Sequence, residues 1–163
     1  MNRSLKIILL LLAAGMMVIQ FFRPERNLGE QGGDGDLLVV QEVPGEIAGL
    51  LEESCYDCHS NHTHYPWYSR IAPFSWYLEA HIRGGKEEAN FSAYGEMNTL
   101  ARIALLSEIC EVVESGSMPL ASYTLIHREA RMDEAEKEAL CLWSESETIG
   151  LLKRSKDSGP SSN

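Results

Sequence analysis

Cys55-Tyr56-Asp57-Cys58-His59 carries the densest chemistry in this chain of 163 residues. Two thiols one helical turn apart, followed at once by an imidazole, make the C-x-x-C-H pattern through which a c-type haem is attached. The spacing follows from the group itself. Two sulfurs must reach two fixed points on a rigid ring while the next side chain stands under its centre. Composition alone would produce the pattern about 0.003 times in such a chain, so it is read as a signal and not as coincidence. On this reading Cys55 and Cys58 form thioethers and His59 binds iron. With no second copy and no internal repeat, one covalently held haem is expected.

Three other chemistries use some of these residues. A thioredoxin-like pair also has C-x-x-C, but it belongs to a βαβ pattern that this sequence does not show. Zinc could recruit Cys55, Cys58, His62 and His64, although their spacing is cramped compared with the usual two-knuckle arrangement. A plain disulfide leaves His59 without a role.

An iron held by His59 has a second axial position. Met118 is the residue expected to fill it, in Gly116-Ser117-Met118-Pro119, where Pro119 fixes φ and stiffens the loop after a helix-stopping glycine. A thioether there raises the reduction potential by favouring ferrous iron. The competing reading of any methionine is a gap-filler in the core. His127 is the main rival ligand; His81, His62, His64, Met97 and Met132 are the others. His62 and His64 lie too close to His59 to reach the opposite face, and His81 falls mid-helix. A vacant sixth site would instead mark a haem-based sensor or a peroxidase-like enzyme. Tyr65, Trp67 and Arg70 follow the motif within an aromatic cluster. They are candidate donors to the haem propionates, against the plainer reading of core packing.

The elements that must position these residues read as helices. Ile47, Leu50, Leu51 and Ser54 share one face of a short helix delivering the two cysteines. Pro73 opens a second helix carrying Trp76 and His81, with Gly84-Gly85 expected to stop it. Asn98 is an N-cap for a third, striped by Leu106, Ile109 and Val113 and ended by Gly116. Asp133 and Glu136 have capping-box spacing ahead of a fourth, with Leu140 and Trp143. Cys110 and Cys141 lie on the third and fourth helices, either as a disulfide or as two buried thiols.

The expected fold is therefore all-α: a small cytochrome c-like helical domain around one haem, over residues 45–150. Residues 1–24 are expected to form an N-terminal membrane anchor or signal segment. Arg3 and Lys6 precede an apolar run, residues 7–22, broken only by Gln20, and an uncleaved anchor is preferred. Residues 25–44, rich in glycine, are expected to be a flexible linker, and residues 151–163 a disordered tail. Residues 46–150 hold 18 acidic and 7 basic side chains, a net charge near −11. That argues against the basic face a nucleic-acid binder needs; the plainer reading is solubility, with steering toward a basic partner as the alternative.

Beyond the motif, Ser60-Asn61, Thr63, Tyr65-Pro66-Trp67-Tyr68, Ile71-Ala72-Pro73 and Asn90-Phe91-Ser92 form a longer pattern. It continues in Gly116-x-Met118-Pro119-Leu120-x-x-Tyr123 and His127-x-x-Ala130, with Ile19-Gln20-Phe21-Phe22-Arg23-Pro24 upstream. Together these resemble the small haem-binding domain of bacterial, often Bacteroidetes-type, membrane-anchored proteins. The resemblance runs over about residues 20–143. It implies c-type haem, periplasmic exposure and His59 as proximal ligand, and it implies no particular physiological reaction. The sequence reading is thus a monohaem c-type cytochrome of the bacterial inner membrane. Its haem domain lies in the periplasm, and it carries single electrons to an unnamed redox partner without acting as an enzyme.

Overall fold

Helix follows helix along the chain. The computed structural model describes residues 2–157. The elements are α1 (Arg3–Ile19), α2 (Leu37–Val40), α3 (Gly45–Leu51), a π-helical turn (Glu52–Tyr56), α4 (Asp57–His59), α5 (Phe74–Glu88), α6 (Thr99–Glu114), α7 (Ala121–Thr124) and α8 (Glu134–Asp157). Two 3₁₀ turns, Trp67–Arg70 and Phe91–Glu96, join them. There is no β-strand among the described residues, only an isolated antiparallel bridge between Leu28 and His62. The all-α expectation holds.

Local chemistry sets the helix ends. Asn98 Oδ1 accepts from the Ala101 amide at 2.9 Å and opens α6. Gly116, at φ +70°, ends it in the left-handed region where other residues are strained. Asp133 and Glu136 cap α8 reciprocally, at 2.7 and 2.9 Å. α6 and α8 run side by side and supply most of the core. Leu106, Ile109 and Val113 pack with Leu140 and Trp143, and Leu37, Leu51 and Phe91 close the far side. Each large apolar side chain buried there contributes about 1.5–3 kcal/mol. Cys110 and Cys141 join α6 to α8 as a disulfide with a sequence separation of 31.

Four expectations about organisation need correction. The expected linker, residues 25–44, is bound to the domain rather than free. The Asn27 amide donates to Tyr65 Oη at 2.6 Å, and its side chain donates to the Ser60 carbonyl and Thr63 Oγ1, both at 2.9 Å. Buried Asp36 accepts from Tyr56 Oη at 2.6 Å and caps α2, whose Leu37 is fully buried. Glycine content alone did not reveal these side-chain anchors. Gly84-Gly85 does not stop the second helix, because α5 continues to Glu88. α8 extends past residue 150 to Asp157 with Leu151 buried, so only residues 158–163 of the expected tail lie outside the described residues.

The fourth correction concerns the N-terminus. No helix among the described residues is long and apolar enough to cross a membrane. α1 has 17 residues, spanning about 25 Å at 1.5 Å per residue. Its apolar run ends where Gln20 turns into the domain: its side chain donates to the Ala72 carbonyl at 3.0 Å and accepts from the Ala72 amide at 2.9 Å. Trp76 Nε1 also donates to the Phe22 carbonyl at 2.6 Å.

Candidate haem site

The π-helical turn Glu52–Tyr56 leads directly into α4, so both cysteines and His59 sit on one continuous but locally widened helix. Such a turn is costly in isolation and recurs where a side chain must be re-aimed. Here Tyr56 is driven inward onto Asp36, while Cys55, Cys58 and His59 face a hollow of about 350 Å³. The segment after the motif is locked back on it. Thr63 Oγ1 donates to the Asp57 carbonyl at 2.6 Å, and the His64 amide donates to Asp57 Oδ1 at 2.9 Å.

Helix α5 forms the wall behind His59. Gly85 lies so close that a Cβ would stand 2.7 Å from the Cys58 carbonyl oxygen. The glycine that sequence patterning reads as a stop is instead a close-approach glycine. We expect Gly85→Val to push α5 off α4 and to cost about 1–3 kcal/mol in urea unfolding. Unchanged stability would show that the contact yields freely.

His59 Nδ1 lies 3.1 Å from the Ala89 carbonyl, and the Gly85 carbonyl also acts on the ring. A carbonyl can only accept, so Nδ1 carries the proton and Nε2 keeps its lone pair. This is the tautomer and orientation of a metal-ligating histidine fixed by a second hydrogen bond. Burial holds the His59 ring below its ordinary pKa and so keeps it neutral. Phe91 stacks on the ring at 5.6 Å, limiting its rotation.

Met118 lies on the loop that follows α6. Its amide donates to the Val112 carbonyl at 3.0 Å, and Ser117 Oγ donates to the same carbonyl at 3.1 Å, tying the loop to the end of α6. Met118 and His59 both line the 350 Å³ hollow and a second one of about 80 Å³ beside Phe91 and Ile109. A third, of about 470 Å³, adjoins the first along Cys58 and His81. The lining is mostly aliphatic and aromatic.

The rival ligands have other partners. His127 Nδ1 donates to Glu129 Oε1 at 3.2 Å, Nε2 accepts from Tyr68 Oη at 2.8 Å, and the ring stacks on Tyr123 at 4.3 Å. His62 Nδ1 donates to the Gly29 carbonyl at 3.0 Å, and His64 lies against Asp57 at 3.4 Å. Met97 and Met132 pack on the core. His81, by contrast, lines the main hollow.

Tyr65, Trp67 and Arg70 do not line any of the three hollows. Tyr65 is held by Asn27 and lies under Arg26, whose guanidinium is 4.1 Å from its ring centre. Trp67 is 78 % exposed and Arg70 is exposed. The 3₁₀ turn that carries Trp67 and Arg70 points them away from the motif, a direction that aromatic clustering in sequence does not encode. Sequence reading likewise missed the Ala89 carbonyl and Phe91 behind His59. The first is a backbone group and leaves no side-chain signal.

Both motif thiols are shifted toward the protonated form. Burial, with Cys58 adding a smaller push, raises Cys55 to about 12; burial followed by the Asp57 charge raises Cys58 to about 11. A redox-active or metal-binding C-x-x-C needs the opposite shift. Nor do Cys55, Cys58, His62 and His64 converge as a ligand set. The only such group among the described residues is Cys110, Glu114 and Cys141, whose sulfurs are already joined.

A half-buried neutral imidazole with a free Nε2 and a thioether on the lining of the same largely apolar hollow suit a haem-protein site. A family model described as a haem-binding domain matches residues 14–146, and the chain belongs to that family. No curated protein and no solved structure matches the chain.

Proposed function

We propose that the chain is a covalent, single-haem c-type cytochrome working outside the cytoplasmic membrane, where it passes single electrons between partner proteins. The observation that carries this reading is the pairing of C-x-x-C-H with a cleft that His59 and Met118 both line. Cys55 and Cys58 would hold the porphyrin edge through thioethers, and His59 Nε2 and Met118 Sδ would hold the iron. When bound, the haem supplies a one-electron ferric/ferrous couple. In forming the thioethers each thiol would add its S–H across a porphyrin vinyl group, sulfur bonding to one carbon and hydrogen to the other. The Ala89 carbonyl leaves Nε2 available to coordinate. Met118 would favour the reduced state, and the aliphatic side chains of Leu105, Ile109 and Val112 would limit water at the iron.

Export is supported by the Cys110–Cys141 disulfide, which belongs to an oxidising compartment, and by the apolar N-terminal segment behind Arg3 and Lys6. The acidic surface fits a basic redox partner.

Met118→Ala is the direct test, read by absorbance and potentiometry. The variant is expected to lose the weak far-red sulfur-to-iron band of the ferric protein, and its potential to fall by on the order of 100 mV. A wild-type protein that is high-spin when ferric and binds carbon monoxide when reduced would instead mark an open sixth site and sensor or peroxidase chemistry.

A further inference from the structure

A haem carries two carboxylates, and the hollows around Cys55, Cys58 and His59 contain no lysine or arginine. They contain three acidic side chains instead, Asp57, Glu88 and Glu108. A propionate turned toward any of these would be repelled, so its partner must be a neutral or weakly basic donor. The described residues offer one imidazole besides His59 along this lining, His81.

We propose that His81 is the propionate-binding residue of this site, an assignment that rests on the haem reading above. His81 Nδ1–H donates to the Tyr77 carbonyl one turn back in α5 at 2.8 Å, which fixes the ring plane. The Tyr77 ring, 4.1 Å away by centroids, backs it. Nε2 has no hydrogen-bond partner among the described residues, and His81 lines both the main hollow and the adjoining 470 Å³ one. Protonated, that nitrogen gives a carboxylate an N–H donor and a positive charge together. Ser122 supplies a second donor nearby: its Oγ accepts from Tyr77 Oη at 2.9 Å, leaving its own hydroxyl proton for the same hollow.

Placement in the fold separates this role from iron ligation. His81 belongs to α5, the helix whose Gly85 carbonyl acts on the His59 ring. It lines the hollow beside Cys58 that neither His59 nor Met118 borders, away from the pair proposed to hold the iron. The residues proposed from sequence for this task, Tyr65, Trp67 and Arg70, have no access to the lining.

Resonance Raman spectroscopy of the haem-loaded protein tests the assignment through the low-frequency propionate bending modes. His81→Phe is expected to shift these modes while haem mass and the far-red sulfur band stay as in wild type. His81→Gln, which restores an N–H donor, is expected to reverse most of the shift. Propionate modes unchanged in His81→Phe would overturn the assignment. So would an altered axial-ligand spectrum in both variants, which would place His81 on the iron. A wild-type chain that acquires no haem would overturn the underlying functional reading, and this one with it.

Discussion

Replacing both motif cysteines, Cys55→Ser with Cys58→Ser, is expected to abolish covalent haem completely. Exported wild-type protein made alongside c-type maturation machinery should gain the mass of one haem and keep its colour after denaturation. The double variant should gain none and lose any colour on denaturation. Each single variant should retain one thioether and a weakened yield. The physical basis is rigidity. α4 and the π-helical turn hold the two sulfurs in one register, and Gly85 lets α5 press on the Cys58 carbonyl to keep them there. Serine preserves size and polarity but cannot form the thioether, so the variant separates bonding from packing. The double variant keeps His59 and Met118, and non-covalent haem that leaves in denaturant is the expected remainder. A wild-type preparation without covalent haem, or a double variant with it, would refute the covalent reading.

Loss of the Cys110–Cys141 bridge is expected to produce the largest change in stability. Closing a loop of 31 residues lowers the entropy of the unfolded chain by an amount worth about 3.7 kcal/mol in the chain-entropy model. For a domain whose total stability is about 5–15 kcal/mol, that is a substantial share. The bridge lies where α6 and α8 meet, and those two helices contribute Leu106, Ile109, Val113, Leu140 and Trp143 to the core. The Met118 loop hangs from the end of α6 through the Val112 carbonyl, so loosening α6 also loosens the residue proposed as sixth ligand. Cys110→Ala with Cys141→Ala should lower the free energy of urea unfolding by about 2–4 kcal/mol. Its far-red sulfur band should fade at lower urea concentration than the bulk of the helical signal. Equal unfolding curves with and without reductant would show that the bridge adds nothing.

What could be read from the sequence follows a clear division. Local signals were legible because their mechanisms are local. C-x-x-C-H specifies its own geometry, the Asn98 and Asp133/Glu136 caps act within one turn, and Gly116 ends α6 through its own φ. The loop bearing Met118 was legible because the helix-stopping Gly116 precedes it, while its place on the lining comes from the bond to the Val112 carbonyl. Long-range side-chain anchors were not legible. Asn27 and Asp36 look like ordinary polar residues in a glycine-rich stretch, yet each reaches partners 20 or more positions away. Gly85 carried a usable signal, since glycine within a helical pattern marks either an end or a close approach; only the packing decides between them. The direction of Trp67 and Arg70 depends on the 3₁₀ turn bearing them, and no periodicity reports that.

The double hydrogen bond between Gln20 and Ala72, joined by Trp76 on the Phe22 carbonyl, ties the end of α1 to the domain. The mouth of the cleft therefore has a preferred bearing relative to α1. Wherever α1 comes to rest, a partner meets that aperture from the side the bearing presents.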